Sequence, residues 1–151
     1  MTVVSAGAKA ILDIKKTLEV LETKGVPVIT YQSDTLPAFW SRDSGIPASL
    51  RADTPKQLAQ HARMRTVLGG GTLIANPVPK KAEIPRLEME IHIATALKDA
   101  DKNGISAKAV TPYLLGRILE LTQGKSLATN IALVANNAKL AAQIAVEDAR
   151  L

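Results

Sequence analysis

The chain opens on a short apolar, β-branched run, Thr2-Val3-Val4-Ser5-Ala6, which reads as a buried strand that Gly7-Ala8 closes with a tight exit. The apolar period then changes. Ile11, Ile14, Leu18 and Leu21 recur at steps of three and four, predicting a helix over residues 11–24, with Gly25 where a left-handed C-terminal cap belongs. Residues 26–30 return to a strand, so the opening reads as a parallel βαβ unit. From 31 to 53 no period holds, and prolines, glycines and serines surround Phe39-Trp40. This predicts a long loop whose aromatic pair pins it to the core. Thr54-Pro55 starts a helix that runs to Leu68 and is ended by Gly69-Gly70-Gly71. Thr72-Leu73-Ile74-Ala75 is the third strand, stopped by Asn76-Pro77-Val78-Pro79. Three helices follow without a further strand, over 84–102, 111–122 and 126–150.

Three strands among five helices predict an α/β protein: a partial α/β/α layered domain with a short, mostly parallel sheet and a helix-rich C-terminal part. Doubly wound sheets commonly hold five or six strands, so the helix excess predicts strands missing from the chain. No repeat, low-complexity tract or linker divides it.

Composition narrows the chemistry. Of the 151 residues, 46% are hydrophobic, and Tyr31, Phe39, Trp40 and Tyr113 are the only aromatics, so the core is expected to be aliphatic. The absence of cysteine excludes disulfides, thiolate metal sites and a cysteine nucleophile, and fits a reducing cytoplasm. No apolar stretch approaches a membrane span, and the start lacks the pattern of a signal peptide, so a soluble cytoplasmic protein is expected. The net charge of +5 raises nucleic acid as a partner, but the lysines and arginines are scattered and no aromatic platform accompanies them. A solvated basic surface is the expectation, with neither nucleic acid nor membrane as partner.

Few residues offer chemistry. Gly69-Gly70-Gly71 lacks the Lys-Ser/Thr of a phosphate loop and reads as a turn. His61 and His92 are isolated, so no metal site is expected at them. Arg42 reads equally as a phosphate contact and as a surface residue of a mobile loop. Lys9 follows the C-terminal end of a strand, where open α/β sheets place ligands, although a lone lysine at a helix start is usually just solvated. Apolar neighbours Ala8, Ala10 and Ile11 and the positive end of the helix dipole would both favour its neutral form. Asn130, near the start of the last helix, can serve a ligand through its amide or simply pack the helix. Asn136-Asn137 read as structural, with Asn137 on a different face from Asn130.

Several stretches lie in order along nearly the whole chain: Val3-Val4-Ser5-Ala6-Gly7-Ala8-Lys9-Ala10-Ile11-Leu12-Asp13, Thr17 through Pro27, Leu36-Pro37-Ala38-Phe39-Trp40-Ser41-Arg42, Ile74-Ala75-Asn76-Pro77, Thr111-Pro112-Tyr113-Leu114-Leu115, and Gly124 through Ala138. Together they resemble the pseudouridine-5′-phosphate glycosidase family, also called indigoidine-synthase-A-like proteins. The resemblance covers only the second half of the family pattern, making residues 1–151 the C-terminal portion of such a domain. It implies reversible cleavage of the carbon–carbon bond between uracil and ribose 5-phosphate in pseudouridine 5′-phosphate, with manganese, in a homotrimer. By the same resemblance Lys9 is the nucleophile, forming an imine with the sugar, and Asn130 lies at the substrate. The proton-donating acid, a second lysine and the metal and phosphate ligands belong to the family's first half, so none is expected here. The chain is therefore expected to be incomplete, either joined by an N-terminal half as a separate chain or surviving as a non-catalytic binding or oligomerisation module.

Overall fold

A computed structural model of the chain describes residues 1–9 and 11–151. Among them run four strands, β1 (Thr2–Ser5), β2 (Val28–Tyr31), β3 (Leu50–Ala52) and β4 (Thr72–Ala75), and five α-helices, α1 (Ile14–Thr23), α2 (Pro55–Leu68), α3 (Arg86–Lys102), α4 (Val110–Leu121) and α5 (Lys125–Asp148). Every strand pair is parallel and the order is β1-β4-β2-β3. Parallel pairing demands crossovers: α1 joins β1 to β2, the irregular residues 32–49 join β2 to β3, and α2 joins β3 to β4. The predicted partial α/β/α architecture is the observed one.

The period-two alternation of the strands separates two faces of the sheet. Ile29, Ile74 and Ala52 point to one side and pack on Leu58 and Ala59 of α2 and on Leu140 and Ile144 of α5. Val28, Leu73 and Ala75 point to the other, where α1 lays Ile14, Leu18 and Leu21 over a cavity of 160 Å³. No side chain of α1 is fully buried, so this layer is thin. A second core lies among the later helices, where Met89, Ala96 and Ala100 of α3 meet Leu114 and Ile118 of α4 around Trp40 and Ile84.

Three expectations change. The segment 31–53 is not loop throughout, because Leu50–Ala52 forms β3 beside β2. β1 is not a buried strand but the sheet's edge, paired only with β4 among the described residues, with Val3 44% exposed. The first helix begins at Ile14 and not at Ile11, because Asp13 takes the N-cap position and its side chain accepts from the Lys16 N–H. Its end falls as expected, with Gly25 at φ +63° and the Gly25 and Val26 N–H groups donating to the Glu22 and Leu21 carbonyls.

The aromatic pair pins its loop as expected. Trp40 is buried, donates from Nε1 to the Ser126 carbonyl at 3.2 Å, and meets Phe39 edge-to-face with ring centroids 5.1 Å apart. The Ser41 hydroxyl fastens the same stretch by donating to the Ile84 carbonyl at 2.7 Å.

Candidate functional site

In a parallel sheet all strands deliver their following residues to one end, and ligands collect there. Ala6, Gly7 and Lys9 leave β1 at that end, and Asn76 and Pro77 leave β4 beside them. Gly7 is the fixed point of the first turn. It holds φ +87°, and a Cβ there would stand 2.1 Å from the Pro37 carbonyl oxygen, so only glycine lets the turn lie on the 36–41 segment. The Phe39 N–H then donates to the Ala6 carbonyl at 2.9 Å, with Phe39 itself at φ +61°. A bulky residue in the left-handed region costs about 1–3 kcal/mol and persists only where surrounding contacts impose it. Here those contacts are the paired Ala38 and Ser41 backbones on either side of the turn.

Lys9 is half-buried, and its carbonyl accepts from the Leu12 N–H at 2.8 Å. It stands a full turn before α1, whose N-cap Asp13 accepts from the Lys16 N–H. The apolar flank expected of Ala10 lies outside the described residues.

Asn130 occupies α5 one turn before Leu133, which packs with Ala6 of the β1 exit and with Val78 of the β4 exit. Lys9 and Asn130 thus reach the same end of the sheet, though no hydrogen bond joins them among the described residues. The Asn130 Oδ1 is buried without a hydrogen-bond partner. A buried acceptor left unpaired costs about 1–3 kcal/mol, which marks it as a place where a ligand or further polypeptide belongs.

Asn137 shares the face of Asn130, correcting the expectation that it lies elsewhere, since seven residues at about 100° each bring it round to within about 20°. It accepts a 3.0 Å hydrogen bond from Asn76 Nδ2, while Asn136 donates to the Pro77 carbonyl at 3.1 Å. These amides, expected to be structural, clamp α5 to the β4 exit. The buried Asn76 was not singled out from sequence; the signal was an Asn-Pro pair directly after a strand. Arg42 is not a free surface residue. Its backbone N–H donates to Glu83 Oε1 at 2.9 Å and its Nη1 to the Val78 carbonyl at 2.6 Å, leaving further guanidinium donors beside the β4 exit.

No three His, Asp or Glu side chains gather closely enough to hold a metal ion among the described residues. Nor is any helix among them long and apolar enough to cross a membrane.

The sequence model of the indigoidine synthase A-like protein family matches residues 1–147. The pseudouridine-5′-phosphate glycosidase of Paracoccus denitrificans is 64% identical over 147 residues, covering 96% of this chain and 48% of that protein. The enzyme of the same name from Methylobacterium nodulans is 61% identical over 148 residues, covering 97% and 44%. Among solved structures, a prealnumycin C-glycosynthase in complex with ribulose 5-phosphate superposes with a TM-score of 0.85 at 33% identity, over 100% of this chain and 52% of the other. An indigoidine synthase A-like protein from Thermotoga maritima gives 0.83 at 34% identity, over 97% and 49%. The chain spans about half the length of the relatives it matches.

Proposed function

The chain belongs to the indigoidine synthase A-like family, and from that premise we propose that it carries one half of a C-glycosidase site that splits pseudouridine 5′-phosphate into uracil and ribose 5-phosphate. What supports the reading is the unpartnered Asn130 one turn before Leu133, which packs on the β1 and β4 exits, in a chain 64% identical to a relative of that name.

Lys9 is the nucleophile. Its neutral amine adds to C1 of the ribose as the ring oxygen leaves and takes up a proton, giving an open-chain amine whose nitrogen lone pair forms the imine as the bond to the base breaks. The bond between the sugar carbon and the uracil carbon then breaks, the base takes a proton at the carbon it loses from, and water releases ribose 5-phosphate and restores the amine. Asn130 orients the substrate, its Oδ1 accepting from a sugar hydroxyl or an edge N–H of the base. An ordinary lysine, with a pKa of about 10.4, is almost wholly protonated near neutrality. Full desolvation of Lys9, beyond the half-burial it has here, is therefore part of completing the site. The proton donor, the phosphate clamp and any manganese ligands come from the part of the family's length that this chain does not span. A homotrimeric assembly, as the resemblance implies, belongs to the same completed protein.

The test is imine trapping. The chain, alone and with the complementary half of the Paracoccus denitrificans relative, is incubated with ribose 5-phosphate and reduced with borohydride, and adducts are mapped by mass spectrometry. The expected adduct sits on Lys9, appears with the complementary half present, and vanishes in Lys9→Ala. Labelling that persists in Lys9→Ala, or that falls on another lysine, overturns the assignment.

A further inference from the structure

The two edges of the sheet are built differently. β3 is three residues long and carries Arg51, which bridges Asp34 at 2.6 Å and Asp53 at 2.7 Å. Short strands with charged side chains are how proteins keep an edge from recruiting another strand. β1 has no such protection. Its Thr2-Val3-Val4-Ser5 is uncharged, β-branched and free of proline, and Val3 stands 44% exposed. An edge of this kind is one that normally meets a neighbour.

Helix α5 supports the same conclusion from beneath the sheet. Its inner face packs on β1 and on the β4 exit through Leu133. One flank, through Lys139 and Gln143, walls a groove with Thr54, Pro55 and Lys56 at the start of α2, on the β3 side. The opposite flank therefore looks out past β1. At about 100° per residue, that flank carries Leu127, Ile131, Val134, Ala138, Ala141 and Ala145, all exposed, with Ile131 at 65% and Val134 at 63%. Asn130, with its unpartnered oxygen, sits at the inner border of this stripe, and Lys9 lies just beyond the unprotected strand.

We propose that the β1 edge and this flank of α5 form one docking face for the polypeptide that supplies the other half of the family's length, adding a strand beside β1 and a helix against α5. Lys9 and Asn130 then lie at the seam, and the site closes only when the face is covered. The occupant is argued from size and placement. The relatives and solved neighbours are about twice as long as this chain, and their additional sequence has to lie against it. On this chain the unprotected edge and the apolar helix flank fall on the same side. The proposal rests on family membership and not on the imine chemistry, so association and trapping can fail separately.

The chain is co-expressed with the complementary half of the Paracoccus denitrificans relative, and also fused to it, and hydrogen–deuterium exchange is compared with that of the chain alone. Expected are a one-to-one complex by native mass spectrometry and exchange at residues 2–5 and along 127–145 slowed by about tenfold or more. In Ile131→Glu/Val134→Glu, whose side chains are exposed and not needed for folding, affinity falls by about tenfold or more. Val67→Glu, on the exposed end of α2 at 87% exposure, leaves it unchanged and serves as control. A complex indifferent to the α5 charges, or a fusion in which β1 and α5 exchange as fast as in the isolated chain, overturns the proposal. Self-association of the chain alone, abolished by the same two charges, also overturns it and assigns the face to a second copy.

Discussion

Replacing Gly7 by alanine tests the turn that sets Lys9 in place. Two costs add. The first is conformational, because a Cβ at φ +87° sits in the left-handed region, at about 1–2 kcal/mol. The second is steric. The new methyl would lie 2.1 Å from the Pro37 carbonyl oxygen, a backbone atom that no side-chain rotation can move aside. Relief needs a separation of about 1 Å or more, which breaks the 2.9 Å bond from the Phe39 N–H to the Ala6 carbonyl and leaves both partners short, at about 1–3 kcal/mol. The expected loss is about 3–4 kcal/mol, or about 10 °C in Tm for a domain of this size. Two other glycines separate the contributions. Gly104 has φ +64° with nothing within 4 Å, so Gly104→Ala should cost only the conformational part, about 1–2 kcal/mol. Gly116 lies exposed inside α4 with equally open surroundings, and Gly116→Ala should stabilise by about 0.5–1 kcal/mol. Urea unfolding of the three variants reads the series directly. A Gly7→Ala loss no larger than that of Gly104→Ala would refute the close approach to Pro37.

Other outcomes follow from the same contacts. Trp40→Phe removes the Nε1 bond to the Ser126 carbonyl and part of a fully buried side chain, so urea unfolding should show a loss of about 2–3 kcal/mol. Thr54→Ala breaks the reciprocal cap with Gln57 and should cost about 1 kcal/mol, with Thr54→Ser largely restoring it. The Lys16 backbone N–H holds the Asp13 carboxyl below its usual range. A depressed folded pKa gives stability that is complete above the ordinary carboxylate value of about 4 and is lost as pH falls through the lower, folded one. Protection of the α1 amides, taken relative to the intrinsic exchange rate at each pH, should therefore fall on acidification below about pH 4, and Asp13→Asn, which keeps a capping acceptor, should flatten that dependence.

What the sequence disclosed depended on how local each cause was. The α2 start was legible because Thr54, Pro55 and Gln57 carry the whole signal within four positions. The α1 start is less legible because Ile11 continues the apolar spacing one turn ahead of the capping Asp13. β3 escaped because a three-residue strand has too little alternation to register; Leu50–Ala52 is extended by its pairing with β2, which is a tertiary cause. The candidate site divides in the same way. Lys9 and Asn130 were named through a family resemblance, and spacing alone left each open between a site role and a bland one. Asn76 reads from sequence only as the start of a strand-ending turn, its bond to Asn137 being a product of the fold, and the edge position of β1 could not be read from a run of β-branched residues that looks identical in a central strand.

The register of the outermost pair bears on how the molecule assembles in time. Thr2 faces Thr72 and Ser5 faces Ala75, so β1 finds its ladder only after three crossovers and the intervening strands have been placed. Closing so long a loop is entropically costly, and non-local parallel pairing is slow. Until β4 is in position, Val3 and Val4 wait as an uncommitted β-branched segment, the kind of sequence that recruits wrong neighbours during synthesis. The interval before β4 docks is therefore when this chain is most exposed to aggregation, and a chaperone that shields residues 2–5 would raise its soluble yield more than one acting on the later helices.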